Sequence, residues 1–298
     1  MTLNMLVEKA VKQPKKTVAV AAADDEEVME AIAAAVAAEI ANFYLYGNAE
    51  TISNMMNKYH LNASDQIQVY DATSVEAARL AVQAVSSGMA DIVMKGNIST
   101  ATILKAVLHK EYGLRTGNVL SHVAVFEVPN YDQFITVTDA AMNIAPDLDG
   151  KTAILKNAVA VVRALGIEKP KVAPLAAVEL VNPAMQATID AALLTQMNRR
   201  GQIKDCVVDG PLALDNAISK IAAAHKGIVS DVAGEADILL VPNIETGNIL
   251  YKSLVFFANS KVGAIIAGAK APIVLTSRAD SAESKLYSLA LAVATARS

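Results

Sequence analysis

Short runs of β-branched and other apolar residues recur along the chain, separated by longer Ala, Leu, Glu and Lys segments of helical period, and this alternation constrains the fold more than any other feature. It is the pattern of βα units wound around a mostly parallel sheet. Residues 17–22, 43–46, 67–70 and 92–95 are predicted strands, with helices between them such as 25–41 and 74–87. Thr73 and Glu76 make a capping box for the second of these helices. With 298 residues the chain exceeds what one ordinary core holds, so it forms one large α/β domain or two smaller ones.

The rhythm breaks after 99–108, where 120–128 and 134–138 read as strands joined by the turn-rich stretch 129–132, which favours an antiparallel pair. From Asp147 the alternation resumes. Helices are predicted at 147–166, from Pro183, at 215–224, at 244–259 and from Ser281; strands near Val172 and at 205–208, 238–241, 262–266 and 273–275. A domain boundary, if there is one, falls at the break near 128–150.

Composition narrows the function. Hydrophobic residues make up 53% of the chain, enough for a large core, while aromatics are 4% with no Trp. Lys and Arg number 26 against 30 Asp and Glu, for a net charge of −4. Without stacking aromatics or a basic excess, nucleic acid is not an expected partner. Cys206 stands alone, which excludes an intrachain disulfide and a Cys-based metal cluster. The first residues carry acid and base with no sustained apolar run, and the Ala-rich stretch 28–46 is interrupted by Glu30 and Glu39. A soluble cytoplasmic protein with no membrane partner is expected.

In open α/β sheets ligands bind beyond the carboxyl ends of the strands, so polar residues between a strand and the next helix are the informative ones. Four segments qualify. Lys95, Gly96 and Asn97 follow the strand at 92–95 and enter a helix through Ser99 or Thr100; Gly96 would let backbone approach a ligand, and Lys95 and the helix end would favour an anion. A plain βα turn with a solvated lysine accounts for them equally well. Asp209 to Asp215 reads as a tight turn with Asp215 as a helix cap. Asn243, Glu245, Thr246, Asn248 and Lys252 crowd one strand end, and five polar groups exceed what capping requires. Last, a buried-type strand delivers Ser277 and Arg278 directly before the final helix; Asp280 and Glu283 fit a capping box there, but no cap needs an arginine. A planar fork of donors suits phosphate or carboxylate.

The local signatures of dinucleotide, P-loop, α/β-hydrolase and zinc-protease sites are missing. His60, His109, His122 and His225 are scattered, and His122, inside a strand, reads as a hydrogen-bonded core or cleft residue. No metal site is expected.

Taken together, the segments resemble the phosphate acetyl/butyryltransferase family, and its butyryl branch most closely. The resemblance runs from about Asp91 to the C-terminus through Met94-Lys95-Gly96-Asn97, Arg115-Thr116-Gly117, and the segments 209–219, 242–252 and 276–281. It implies two α/β domains with mostly parallel sheets and an interdomain cleft, a fold similar to isocitrate and isopropylmalate dehydrogenases. The first domain would be discontinuous, 1–130 plus 273–298, and the second would span 131–272. The implied reaction is butanoyl-CoA + phosphate ⇌ butanoyl phosphate + CoA, with no cofactor or metal and a homo-oligomeric enzyme.

On that reading Lys95, Lys105, Arg115, Lys252 and Arg278 neutralise phosphate and coenzyme A, and Gly96, Asn97, Thr100, Asn243, Gly247 and Asn248 complete the binding set. Ser277 and Arg278 would stabilise the oxyanion or the departing phosphate. The acetyl relatives carry a proposed catalytic Asp where this chain has Ser284, so Glu283, Asp280 or the phosphate itself would take the proton. Lys105 stands where those relatives have a coenzyme-binding Arg. Three alternatives stay open: an acetyl preference, a metal-dependent decarboxylating dehydrogenase using Asp209, Asp215 and Asp231, and a catalytically dead binding protein.

Overall fold

The structure is a computed structural model that describes residues 1–275 and 280–296. It divides into two compact units, one of Thr2–Asn118 with Val262–Ser298, the other of Met1 with Val119–Lys261. In chain order the first unit begins with α1 (Asn4–Val11), β1 (Lys16–Ala21), α2 (Glu26–Ala37), β2 (Ala41–Gly47), α3 (Ala49–Lys58), β3 (Ile67–Asp71), α4 (Ser74–Ser86), β4 (Ile92–Lys95) and α5 (Thr100–Val107). The second unit follows with β5 (Ser121–Glu127), β6 (Ile135–Thr138), α6 (Leu148–Ala164), β7 (Lys171–Pro174), α7 (Gln186–Arg199) and β8 (Val207–Val208). It closes with α8 (Leu214–Ile218), α9 (Lys220–His225), β9 (Ile238–Leu240) and α10 (Ile244–Phe256). Finally β10 (Lys261–Ala267), β11 (Ile273–Val274) and α11 (Ala282–Thr295) complete the first unit.

In the first unit the strand order is β3-β2-β1-β4-β11-β10. All neighbours run parallel except β10 and β11. Val18 to Ala21 of β1 are fully buried, as a central parallel strand covered on both faces requires, whereas the edge strand β3 has no fully buried position and leaves Gln68 and Asp71 exposed. Helix starts follow local capping: Asp25 accepts from the Val28 amide, and Thr73 and Glu76 form the expected capping box. Helix α11 is buried nearly all round and packs on α1 and α2. Its Lys285 ammonium reaches Glu27 at 2.9 Å and its Tyr287 hydroxyl donates to Asn4 at 2.8 Å. Gly263 is required at that contact, because a Cβ there would lie 2.9 Å from the Tyr287 backbone.

The sheet of the second unit is ordered β5-β6-β9-β7-β8, with β5 and β6 antiparallel and the remaining pairs parallel. That antiparallel hairpin explains where the units divide. β5 pairs with β6 and travels with the second unit, while β10 pairs with β11 in the first. The divisions therefore fall at 118/119 and 261/262, not at the 130/131 and 272/273 expected.

Several local expectations need correction. The helix expected from Pro183 begins at Gln186, because residues 182–185 form a turn in which the Met185 amide donates to the Asn182 carbonyl. The helix at 215–224 is two, broken at Ser219, whose extended backbone lets its hydroxyl cap α9. Asp215 is not a cap: Ala213 holds that position and Asp215 lies in the first turn, where a carboxylate suits the helix dipole. At α11 the cap is Ser281, accepting from the Ser284 amide at 3.1 Å, so the capping box expected of Asp280 and Glu283 does not form. Glu283 instead accepts from the Tyr287 hydroxyl at 2.8 Å, one turn along.

Candidate active site

In the first unit the strand order reverses between β1 and β4, since β2 and β3 extend the sheet one way and β4, β11 and β10 the other. A crevice beyond the carboxyl ends at such a reversal is where open α/β sheets take ligands. Lys95, Gly96 and Asn97 occupy it. The Gly96 amide donates to the Ala21 carbonyl and the Asn97 amide to Ala22, both at 2.8 Å, binding the exit of β4 to that of β1. A Cβ on Gly96 would sit 2.0 Å from the Ala22 carbonyl oxygen, so backbone contact demands this glycine whatever the crevice holds. The Lys95 ammonium lies 3.1 Å from the carbonyls of Gly96 and Ile98, which fixes it over the turn. Ser99 caps α5, and Thr100 and Lys105 are exposed along that helix.

The register of β11 brings the end of that strand to the same edge. Val274 pairs with Met94, so the chain leaves β11 level with the point where it leaves β4. Ser277 and Arg278 follow and lie outside the described residues; α11 then opens after Asp280 and Ser281. Arg115 is exposed on a segment fastened beside Gly268 and Lys270, the Thr116 hydroxyl donating to the Gly268 carbonyl at 2.6 Å and the Lys270 amide to Leu114 at 2.9 Å.

Asn243, Gly247, Asn248 and Lys252 belong to the second unit, on α10. Three of the five polar residues singled out there have structural work. Asn243 caps the helix, accepting from the Thr246 amide at 3.0 Å and the Thr246 hydroxyl at 2.7 Å, and the Asn248 amide reaches the Ala140 carbonyl at 3.3 Å. Gly247 is a packing glycine, since a Cβ would lie 2.5 Å from the Asp139 carbonyl. Glu245 and Lys252 remain exposed, so the polar excess is smaller than the sequence suggests.

Two features escape the sequence reading. Asp24, just beyond β1, has a buried Oδ1 with no hydrogen-bond partner among the described residues, beside Gly47. The other is a cavity of about 1250 Å³ in the second unit, beyond the carboxyl ends of β7 and β9, with Leu148, Leu175, Ala176, Met185, Leu214 and Ile249 among its walls. A buried ion pair, Lys151 to Asp190 at 2.5 Å, forms part of its lining. Neither feature has a contiguous motif; the cavity is assembled from five segments.

His122 is part-buried on β5, with its Nδ1 shut off from solvent and without a partner among the described residues, rather than hydrogen-bonded as expected. Burial pulls its pKa below the usual histidine value, against the opposing pull of Asp139. The folded state therefore holds a neutral ring while the unfolded chain takes a proton below about pH 6.5. The residue's contribution is complete above that pH and is lost as pH falls toward the lower folded value. We expect the unfolding free energy to drop by roughly 1 kcal/mol between pH 7.5 and 5.5, and His122→Phe to flatten that slope, as urea titrations at the two pH values would read.

Among the described residues no three His, Cys, Asp or Glu side chains gather as metal ligands, and no helix is long and apolar enough to cross a membrane. Asp209 pairs with Arg199 at 3.5 Å.

The family model described as "Phosphate acetyl/butaryl transferase" matches residues 1–79 and 71–293. The chain belongs to this family. It is 56% identical over 294 residues to a probable phosphate butyryltransferase of Bacillus subtilis, covering 98% of this chain and 97% of that protein. It is 51% identical over 291 residues to the phosphate butyryltransferase of Clostridium acetobutylicum, again 98% and 97%. Among solved structures it resembles a branched-chain phosphotransacylase from Enterococcus faecalis, with a TM-score of 0.84 and 37% identity over 94% of this chain and 98% of that one. An acyltransferase of the phosphate acetyl/butaryl family thus has its β4 and β11 exits at one sheet edge.

Proposed function

We propose that the chain moves a butanoyl or similarly short or branched acyl group between coenzyme A and inorganic phosphate. The observation that carries this reading is the shared sheet edge: the chain leaves β4 through Lys95 and leaves β11 toward Ser277 and Arg278 at one level beside the strand-order reversal. The names of the relatives, phosphate butyryltransferase and branched-chain phosphotransacylase, agree with it. We also read the two units as domains of the isocitrate/isopropylmalate dehydrogenase type, in a homo-oligomeric cytoplasmic enzyme.

In the forward direction a phosphate oxygen attacks the thioester carbonyl, the new C–O bond forms as the C–S bond breaks, and the thiolate leaves to take a proton. In reverse the thiol gives up its proton, sulfur attacks the acyl phosphate, and phosphate departs. Both partners are polyanions, so Lys95, Lys105, Arg115 and Lys252 serve to gather them, and Arg278 with Ser277 meets the charge that grows on the carbonyl oxygen or the leaving phosphate. Because the acyl phosphate is already activated, holding the reactants in line supplies much of the acceleration. Asp280, Glu283 or the phosphate takes the thiol proton; the Tyr287 hydroxyl that Glu283 already accepts weighs against Glu283.

Thiol release from butanoyl-CoA should require added phosphate and survive EDTA, and butanoyl-CoA should exceed acetyl-CoA in kcat/KM by a finite factor, since each added methylene in an apolar pocket is worth about 1–3 kcal/mol. A rate that needs a divalent metal and a nicotinamide cofactor would replace this reading with the dehydrogenase one.

A further inference from the structure

Helix α10 leaves an apolar side uncovered. It is rich in Ile, Leu, Val and Phe, yet Gly247 is its one buried residue among those described. At about 3.6 residues per turn, Gly247 and Tyr251 share the side toward its own unit, where the Tyr251 ring meets Phe126 and His122 at centroid distances of 5.3 and 5.8 Å. The opposite side carries Ile249 and Phe256, two turns apart and so in line, 67% and 72% exposed. Phe257, at the helix end, is 89% exposed. A surface helix normally turns polar residues outward. Here the apolar side runs, through Thr246, Ile249 and Ser253, into the wall of the cavity of the second unit, where Leu193 and Leu214 are exposed as well.

The charges on this face match a second copy of it. Glu245 and Lys252 flank the apolar stripe on one side, both exposed, and neither has an ion-pair partner among the described residues. A two-fold axis near Asn248 and Ile249 lays one α10 antiparallel on another and returns the same flank to the same side with its direction reversed. Glu245 of each copy then faces Lys252 of the partner subunit. The same operation sets Phe256 opposite the first turn of the facing helix, where Pro242, Asn243 and Thr246 line the cavity. Area points the same way. Taking roughly 150–250 Å² for a phenyl side chain, Phe256, Phe257 and Ile249 expose on the order of 400 Å², and Leu193, Leu214 and the flanking charges bring the face toward the roughly 800 Å² per partner of a standard interface.

We propose that this face of the second unit, α10 with the cavity beside it, packs on the same face of a second copy of the chain in antiparallel register. The inference deepens the homo-oligomeric reading by naming its surface. Lys252 keeps donors for a substrate anion, since an ammonium has three.

Light scattering should give the parent twice 31.3 kDa or a higher even multiple, and Ile249→Glu with Phe256→Glu should halve it while circular dichroism stays that of a folded chain. Glu245→Lys alone sets like charges opposite and should weaken self-association about tenfold, and adding Lys252→Glu should restore it. Ile249→Cys, near the axis, should be joined to its counterpart by a short bis-maleimide, the native Cys206 being buried. A parent of 31.3 kDa would overturn both this surface and the homo-oligomeric reading. A higher mass unchanged in the folded double variant, a charge swap that restores nothing, or no cross-linked pair would overturn the surface alone.

Discussion

Arg278→Gln is expected to lower kcat about 10²- to 10³-fold while leaving the thermal melt unchanged. The residue follows β11, whose last paired position, Val274, is level with Met94, and it precedes a helix whose own cap is supplied by Ser281. The proposed reaction is what calls on the arginine's charge and planar fork. The acyl carbon becomes tetrahedral in either direction, and charge builds on its oxygen and redistributes over the phosphate. Removing one preorganised donor from such a site typically costs two to three powers of ten in rate. Ser277→Ala should be milder, since a hydroxyl brings no formal charge. Arg278→Lys should recover little, because an ammonium cannot repeat a bidentate contact. Steady-state kinetics and melts on the three variants check this, and a near-normal kcat in folded Arg278→Gln would remove the segment from the active site.

The second large effect concerns stability. Lys151→Met should destabilise the protein by about 3–5 kcal/mol, because it leaves Asp190 buried with one amide donor, from Gln186, where it had an ammonium at 2.5 Å as well. Each side chain of the pair is under a tenth exposed, so the ion pair is held largely away from water in the folded protein. The pair ties α6 to α7. Replacing both partners by apolar residues, Lys151→Met with Asp190→Leu, should restore most of the loss, since no uncompensated charge remains. Urea unfolding of the single and double variants measures it; equal losses in both would mean that packing of the side-chain stems, and not charge, dominates.

How far the sequence foretells the molecule depends on whether the signal is local. β1, β4 and the capping box of α4 are legible because a buried parallel strand is a continuous apolar run and a capping box is a four-residue motif. The antiparallel hairpin of β5 and β6 is legible from the turn between them. The break at Ser219 is not, because residues 215–224 keep helical composition while one extended residue divides them. The crowding of polar residues on α10 is misleading for a related reason: the capping of Asn243 and the reach of Asn248 to Ala140 depend on where the helix lies on its strand. The same holds for Gly96 and Gly247, whose need for a bare Cα comes from backbone far away in sequence. The edge proposed for the site is partly legible, since in the sequence Lys95 and Arg278 each follow a strand, but only the pairing of β11 with β4 makes the ends of those strands neighbours. The cavity has no sequence signature, its walls being scattered over five segments.

Trapping the product tests the central claim most directly. With butanoyl-CoA, phosphate and hydroxylamine, each free thiol that appears should be matched by one butanoyl hydroxamate formed through butanoyl phosphate, and neither should accumulate at the enzymatic rate when phosphate is omitted. Thiol released at the same rate without phosphate, or with free butanoate as the only acyl product, would make the protein a hydrolase and contradict the account.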